Sequence, residues 1–248
     1  MTKLVTLSVE NRIAVLSLNR PESLNALNHQ LFAELDQLLS ELAERPDDIG
    51  CVILKGNGRA FSSGHDLKDI GGGQVDLQDD FEATILEKLA ALPAPVIAQI
   101  HKFCFTGALE LALACDLIFV EEGAVLADTH SEWGLTPVWG MTQRLPRRVG
   151  VARAKDMMFS ARRVKADEAL QIGLVDRVFA AADLAAETLA YAGQVASQSP
   201  YSHRACKQLL ASTDGLRLHD GLDYEYSNSP GACEDMQERV DGFLARSK

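Results

Sequence analysis

The chain lacks any surplus of basic residues: 24 Lys and Arg stand against 35 Asp and Glu, a formal net charge of −11 over 248 residues. A general binder of nucleic acid or of an acidic membrane needs the opposite balance to neutralise phosphates, so no nucleic-acid or membrane partner is expected. That balance still permits a local basic pocket for one anionic ligand. Cysteine is sparse: Cys51, Cys104, Cys115, Cys206 and Cys233 are odd in number, scattered and without a C-x-x-C pair. They read as reduced thiols of a cytosolic protein. Apolar runs are short; the most apolar stretch, Ala108 to Val120, is broken by Glu110 and Asp116 and cannot span a bilayer. The first ten residues alternate like a strand and lack the apolar block of a signal peptide, so a cytoplasmic location is expected. His29, His65, His101, His130, His203 and His219 show no metal-ligand spacing. The glycines at 71–73 lack the strand-to-helix context of a dinucleotide fingerprint. No metal and no separate cofactor is expected.

What is present is ordinary globular composition, 47% hydrophobic and 24% charged, in a chain long enough for one large domain with a substantial core. Alternation predicts strands over 3–9 and 12–18 joined at Glu10 and Asn11. A helical period runs from Leu27 to Ala43, and short buried strands are predicted over 51–55, 96–100 and 117–120. Further helices are predicted over 79–92 and 108–114. Strands alternating with helices at short spacing define an α/β fold. No fixed-length repeat is visible, although a strand–strand–helix unit recurs loosely. Beyond residue 151 the pattern is mostly helical (151–160, 167–172, 182–198, 201–212 and 234–246). A boundary near Ser199 divides an α/β core, 1–198, from a helical region, 199–248, whose apolar faces suit packing on the core or on a neighbouring subunit.

Two junctions carry the chemistry. The segments from Ala60 to Lys68 and from Phe105 to Asp116 each follow an apolar run, turn on a glycine (Gly64, Gly107) and lead into a helix. Such turns leave backbone N–H groups outside the helix ladder and free to point at a ligand oxygen. Two of them meeting in space make an oxyanion hole. The second also sets a carboxylate, Glu110, one turn from its donor.

Taken together, several segments resemble the crotonase superfamily, the enoyl-CoA hydratase/isomerase group. They are Leu18 to Leu27, Val52 to Lys68, Pro95 to Asp116, Gly134 to Leu145 and Phe159 to Val175. The likeness runs from about Leu18 to about Val178, with a weaker echo from Glu238 to Lys248. It implies a spiral of repeated β-β-α units with a helical C-terminal region, holding an acyl-CoA thioester whose CoA is part of the substrate. It also implies a homotrimer or a dimer of trimers. By position, the backbone N–H groups of His65 and Gly107 bind the thioester oxygen, and Ala26, Lys68 and Trp133 contact substrate or CoA. Arg246 and Lys248 are further candidates for the CoA phosphates, although each also reads as an ordinary solvated charge.

Glu110 aligns with the first catalytic glutamate of the hydratases; the plainer reading is a helix-start acid favoured by the dipole. The second glutamate is replaced by His130. A histidine there can do acid/base work near neutral pH, or can simply line the pocket and bond to the nearby Asp128. Glu132 lies two residues from the expected position and serves only if the loop is shifted. Further departures are Cys104, Phe105 and Thr106 in place of a glycine-rich run, and His101 and Lys102 in place of the usual Asn-Gly. Trp133 and Trp139 flank the active loop and either narrow an acyl pocket or pack in the core. His65 stands where most of the group has Ala; a protonated His65 suits a substrate carboxylate, and the plainer reading is a side chain aimed at solvent or the CoA chain. The expected activity is reversible hydration of a 2-enoyl-CoA. The alternatives are a double-bond isomerase, then a decarboxylase or hydrolase of a CoA thioester, or a catalytically weak CoA-ester-binding subunit.

Overall fold

Side chains alternating between the two faces of one parallel sheet organise this chain in a computed structural model that describes residues 3–71 and 80–246. In chain order the first elements are β1 (Val5–Glu10), β2 (Ile13–Leu18), α1 (His29–Ala43), β3 (Cys51–Gly56), α2 (Leu67–Gly71) and α3 (Phe81–Ala90). Next come β4 (Val96–Ile100), β5 (Phe103–Phe105), α4 (Gly107–Leu113), β6 (Leu117–Glu121), β7 (Val125–Ala127) and α5 (His130–Trp133). Then follow α6 (Met141–Val149), α7 (Val151–Ser160), β8 (Val164–Lys165), α8 (Ala166–Gln171) and β9 (Arg177–Phe179). The last four helices are α9 (Leu184–Ala196), α10 (Pro200–Thr213), α11 (Leu218–Asn228) and α12 (Met236–Arg246).

The larger sheet has the order β1-β2-β3-β4-β6-β9, antiparallel only between β1 and β2. The hairpin turn falls on Asn11 and Arg12, at φ 50° and 65°, one residue later than the expected Glu10 and Asn11. Two left-handed residues give the twist that a right-handed β-hairpin needs. Along the parallel strands Ala14, Leu16, Val52, Leu54, Val96, Ala98, Ile118 and Val120 join the main core. The alternate residues Ile13, Cys51, Ile53, Ile97 and Phe119 pack with Leu184, Ala192 and Ala196 of α9. Both faces are therefore covered, which is why these strands read as unbroken apolar runs. Helix α1 buries Leu31, Phe32, Leu35, Leu39 and Leu42 and is capped by Asn28, whose side chain accepts from Leu31 N at 2.9 Å.

A second sheet, β5-β7-β8, stands beside the first and aligns the site. Its first two strands run parallel, with Cys104 opposite Leu126, and an isolated parallel bridge sets Ser62 opposite Cys104. Three chain segments thus lie in register. Counting three residues onward from each bridge position brings His65, Gly107 and Thr129 to one end of that sheet. The recurring unit is a long strand, a short strand and a helix: β4-β5-α4, then β6-β7-α5. This is the crotonase-type α/β spiral.

Several boundaries differ from the sequence reading. The helix expected over 79–92 is Phe81–Ala90, and the one expected from Leu27 begins at His29 because Leu27 is paired with His65. Helix α11 and the strands β5, β7, β8 and β9 were not predicted at all. Helices α10 and α11 have no buried residue, and Leu210, Leu218 and Tyr226 stand exposed on them. Among the described residues no helix is long and apolar enough to cross a membrane. Gly72, Gly73 and Lys248, named above, lie outside the described residues.

Candidate active site

The first turn is built from the segment 18–27 folding over the segment 60–66. Asn25 is fully buried at φ 54°, and its amide donates to the carbonyls of Asn57 and Ala60, each at 2.8 Å. Ser62 Oγ donates to the Asn25 carbonyl at 2.8 Å and accepts from Gly64 N at 3.2 Å. Arg20 forms a half-buried ion pair with Asp66 at 3.0 Å and also donates to the Ala26 carbonyl. Leu27 N donates to the Gly64 carbonyl and Asp66 N to the Leu27 carbonyl, both at 2.8 Å. In that parallel bridge the N–H of the middle residue, His65, points to the opposite side.

The second turn brings its donor to the same place. Gly107 opens α4, so its N–H has no partner within the helix. A Cβ on Gly107 would lie 3.4 Å from His65 N and 2.4 Å from the Trp139 ring. A Cβ on Gly64, at φ +96°, would lie 2.5 Å from the Phe105 carbonyl. Only glycine fits at either position, and the two backbone donors are neighbours. Thr106, between Phe105 and Gly107, sits at φ 52° and ψ −112°, a conformation costly for a β-branched residue. It is held there by Thr106 N donating to the Ala127 carbonyl at 2.8 Å and by a hydroxyl contact with Thr129. Lys102 is likewise left-handed, at φ 55°. Both are places where the crotonase pattern usually has glycine.

Glu110 lies one turn into α4 and is 1% exposed. Its Oε1 accepts from Trp139 N and Met141 N, each at 3.0 Å. Its Oε2 lies 3.6 Å from His130 Nε2. Burial dominates and pushes the Glu110 carboxyl up to about 7, with the nearby Asp128 charge adding to it; His130 and the two backbone donors oppose the rise. His130 is buried, and its Nδ1 donates to Asp128 Oδ1 at 2.5 Å. The arrangement is a line of three buried groups, Asp128–His130–Glu110, ending beside the two backbone donors.

These groups open onto one cavity of about 190 Å³, lined by His65, Gly107, Glu110, His130, Trp133 and Trp139 among others. Of the residues singled out from the sequence, it gathers Glu110, His130, His65, Gly107 and Trp133, and also Phe105, Thr106, Glu132 and Trp139. Ala26 and Lys68 do not line it: Ala26 is buried with its carbonyl engaged by Arg20, and Lys68 is exposed next to the lining residue Leu67. Trp133 is 56% exposed at the rim, whereas Trp139 is buried, edge-on to Phe32 and 4.8 Å from the His65 ring. Trp139 is therefore both core and pocket wall. Burial lowers the pKa of His65, although Glu82, Asp69 and Asp66 oppose it, so the ring is not favoured as a cation. Glu132 pairs with Arg163, whose guanidinium also lies 5.6 Å over the Phe105 ring. Arg163 lies within the resembling segment Phe159 to Val175, but its pairing with Glu132, more than 30 residues away, had no signal in the sequence.

A parallel α/β spiral with two converging turn donors and a buried acid beside them defines a crotonase-fold protein. The sequence model of the Enoyl-CoA hydratase/isomerase family matches residues 8–248, and the chain belongs to that family. It is 32% identical to the short-chain-enoyl-CoA hydratase of Clostridium acetobutylicum, over 98% of this chain and 95% of that one. The crystal structure of enoyl-CoA hydratase from Bacillus anthracis superposes with a TM-score of 0.92 at 32% identity, covering 98% and 96% of the two chains. A Thermobifida fusca YX protein solved in complex with acetoacetyl-CoA superposes with a TM-score of 0.83 at 28% identity, covering 91% and 92%.

Proposed function

We propose that this protein catalyses reversible addition of water to a short 2-enoyl-CoA thioester. The observation that carries the reading is the Glu110 Oε2–His130 Nε2 approach of 3.6 Å beside the paired N–H groups of His65 and Gly107. The thioester oxygen rests on those two N–H groups. Ionised Glu110 takes a proton from a water molecule, and the hydroxide oxygen bonds to C3. The electron pair of the double bond moves through C2 onto the thioester oxygen as an enolate, where the two donors stabilise it by a few kcal/mol. Protonated His130 then gives its Nε2 proton to C2, and the enolate pair collapses back to the thioester. Glu110 is left protonated and His130 neutral; transfer between them, across the same gap, restores the starting state.

The relatives support the CoA-ester class: one is named for short-chain enoyl-CoA, and another was solved with acetoacetyl-CoA. The small cavity favours short acyl groups. The exposed apolar residues of α10 and α11 support packing of the helical region on a neighbouring subunit, and the homotrimer or dimer of trimers is what the family resemblance implies. A second reading is the double-bond isomerase, favoured by the Glu110 carboxyl near 7, a value suited to shuttling one proton. Supplying crotonyl-CoA and a 3-enoyl-CoA to the wild-type protein separates them. Formation of 3-hydroxybutyryl-CoA from crotonyl-CoA supports hydration. Conversion of the 3-enoyl-CoA to crotonyl-CoA with no hydroxyacyl product overturns it in favour of isomerisation.

A further inference from the structure

Asp128 takes no part in the steps just described, yet its placement is costly. It is 1% exposed, Oδ1 accepts from His130 Nδ1 at 2.5 Å and from His130 N at 3.2 Å, and Oδ2 is buried with no partner among the described residues. A buried carboxylate with an unpaired oxygen loses hydration that one strong contact must offset. Here both contacts go to a single residue. We propose that Asp128 is the positioning residue of His130: it holds the Nδ1 proton and fixes the ring, so that Nε2 alone exchanges a proton with Glu110 and substrate. The proposal deepens the hydration reading and rests on it for the meaning of the Nε2 proton.

The geometry supports this in two ways. A carboxylate accepts and does not donate, so the short contact fixes the hydrogen on Nδ1. Attachment at both the backbone N and Nδ1 also fixes the ring's rotation, which sets Nε2 towards Glu110. Without the carboxylate, the neutral ring can place its hydrogen on either nitrogen, and only one tautomer leaves Nε2 bare to accept the proton from Glu110. The other titratable or charged groups around this site are Glu110 on α4, His65 on the first turn, and Glu132 on α5 with its partner Arg163; Glu132 is neutralised by that ion pair.

The test reads the imidazole directly. Protein labelled with ¹⁵N in histidine rings is compared by long-range ¹H–¹⁵N NMR between pH 5 and 9 for the wild type and Asp128→Asn, with His130→Ala to identify the signal. The expected wild-type spectrum at high pH shows the Nδ1–H tautomer for His130. In Asp128→Asn the tautomers mix, and kcat on crotonyl-CoA falls on the order of 10²-fold with KM within about threefold. Asp128→Glu should recover part of the kcat. An Nε2–H tautomer in the wild type, or an unchanged tautomer in Asp128→Asn, overturns the proposal. A wild type that shows the Nδ1–H tautomer, with mixing in Asp128→Asn, but no crotonyl-CoA turnover overturns the hydration reading and still supports the hold of Asp128 on His130.

Discussion

Trp139 and Glu110 are joined through the backbone: Trp139 N donates to Glu110 Oε1 at 3.0 Å, while the Trp139 ring packs into the space that a side chain at position 107 would need. One residue therefore fixes the carboxylate and closes in the donor turn. A carboxylate with one oxygen tied to two N–H groups presents only the other to the cavity, which defines its proton-accepting edge.

Gly107→Ala should damage this relationship first. Its methyl would lie 2.4 Å from the Trp139 ring, so either the ring or the donor must move. Loss of one aligned oxyanion donor costs on the order of 10²-fold in kcat. Steady-state kinetics on crotonyl-CoA, with circular dichroism to confirm folding, checks the expectation.

Glu110→Gln keeps a carbonyl oxygen for the two backbone donors but removes the base. The kcat/KM of the wild type should rise with pH through a limb near 7, the value to which burial pushes the carboxyl. In the variant kcat/KM should fall by about 10³-fold and that limb should vanish. A pH–rate profile of both proteins is the measurement.

The same group predicts a stability trend. Glu110 keeps its proton to about pH 7 when folded, against an ordinary value of 4.5. Between those values the folded state binds more protons than the unfolded one, so stability falls as pH rises. The favourable contribution is complete below 4.5 and lost above 7. Thermal unfolding from pH 4.5 to 8 should show Glu110→Gln gaining on the wild type by roughly 1–3 kcal/mol across that window.

Glu132→Ala should do little to catalysis. Its carboxylate, held below the usual range by a hydrogen bond from Arg163, is committed to that partner near the surface. The surface pair is screened by solvent and takes no part in the proposed proton transfers, so crotonyl-CoA turnover should stay within about threefold of the wild type. A loss approaching that of Glu110→Gln would make Glu132 the second acid.

The sequence was most legible where chemistry depends on the local chain. Gly107 and Glu110 are three residues apart on one helix, and Asp128 and His130 are two apart, so their proximity is read directly. The α/β class followed from strands whose two buried faces leave unbroken apolar runs. What stayed hidden depends on register between distant segments. The approach of His130 to Glu110 was legible only through the family resemblance, because it needs β5 and β7 paired side by side, and strands of three residues carry no usable period. The Glu132–Arg163 pair and the Thr106–Thr129 contact are likewise tertiary. Ala26 and Lys68 were named by likeness alone, and neither lines the cavity. Helix α11 was missed although Leu218, Leu222 and Tyr226 recur four residues apart on it; Gly221 in its interior is a weak helix former.

The most direct test of the Glu110–His130 pair is the rate of crotonyl-CoA hydration, followed by loss of the conjugated thioester absorbance, in wild type, Glu110→Gln and His130→Ala. The pair predicts clear turnover in the wild type and a fall of at least 10²-fold in each variant. Turnover that survives in His130→Ala, or no turnover in a wild type that still binds CoA esters, would contradict it.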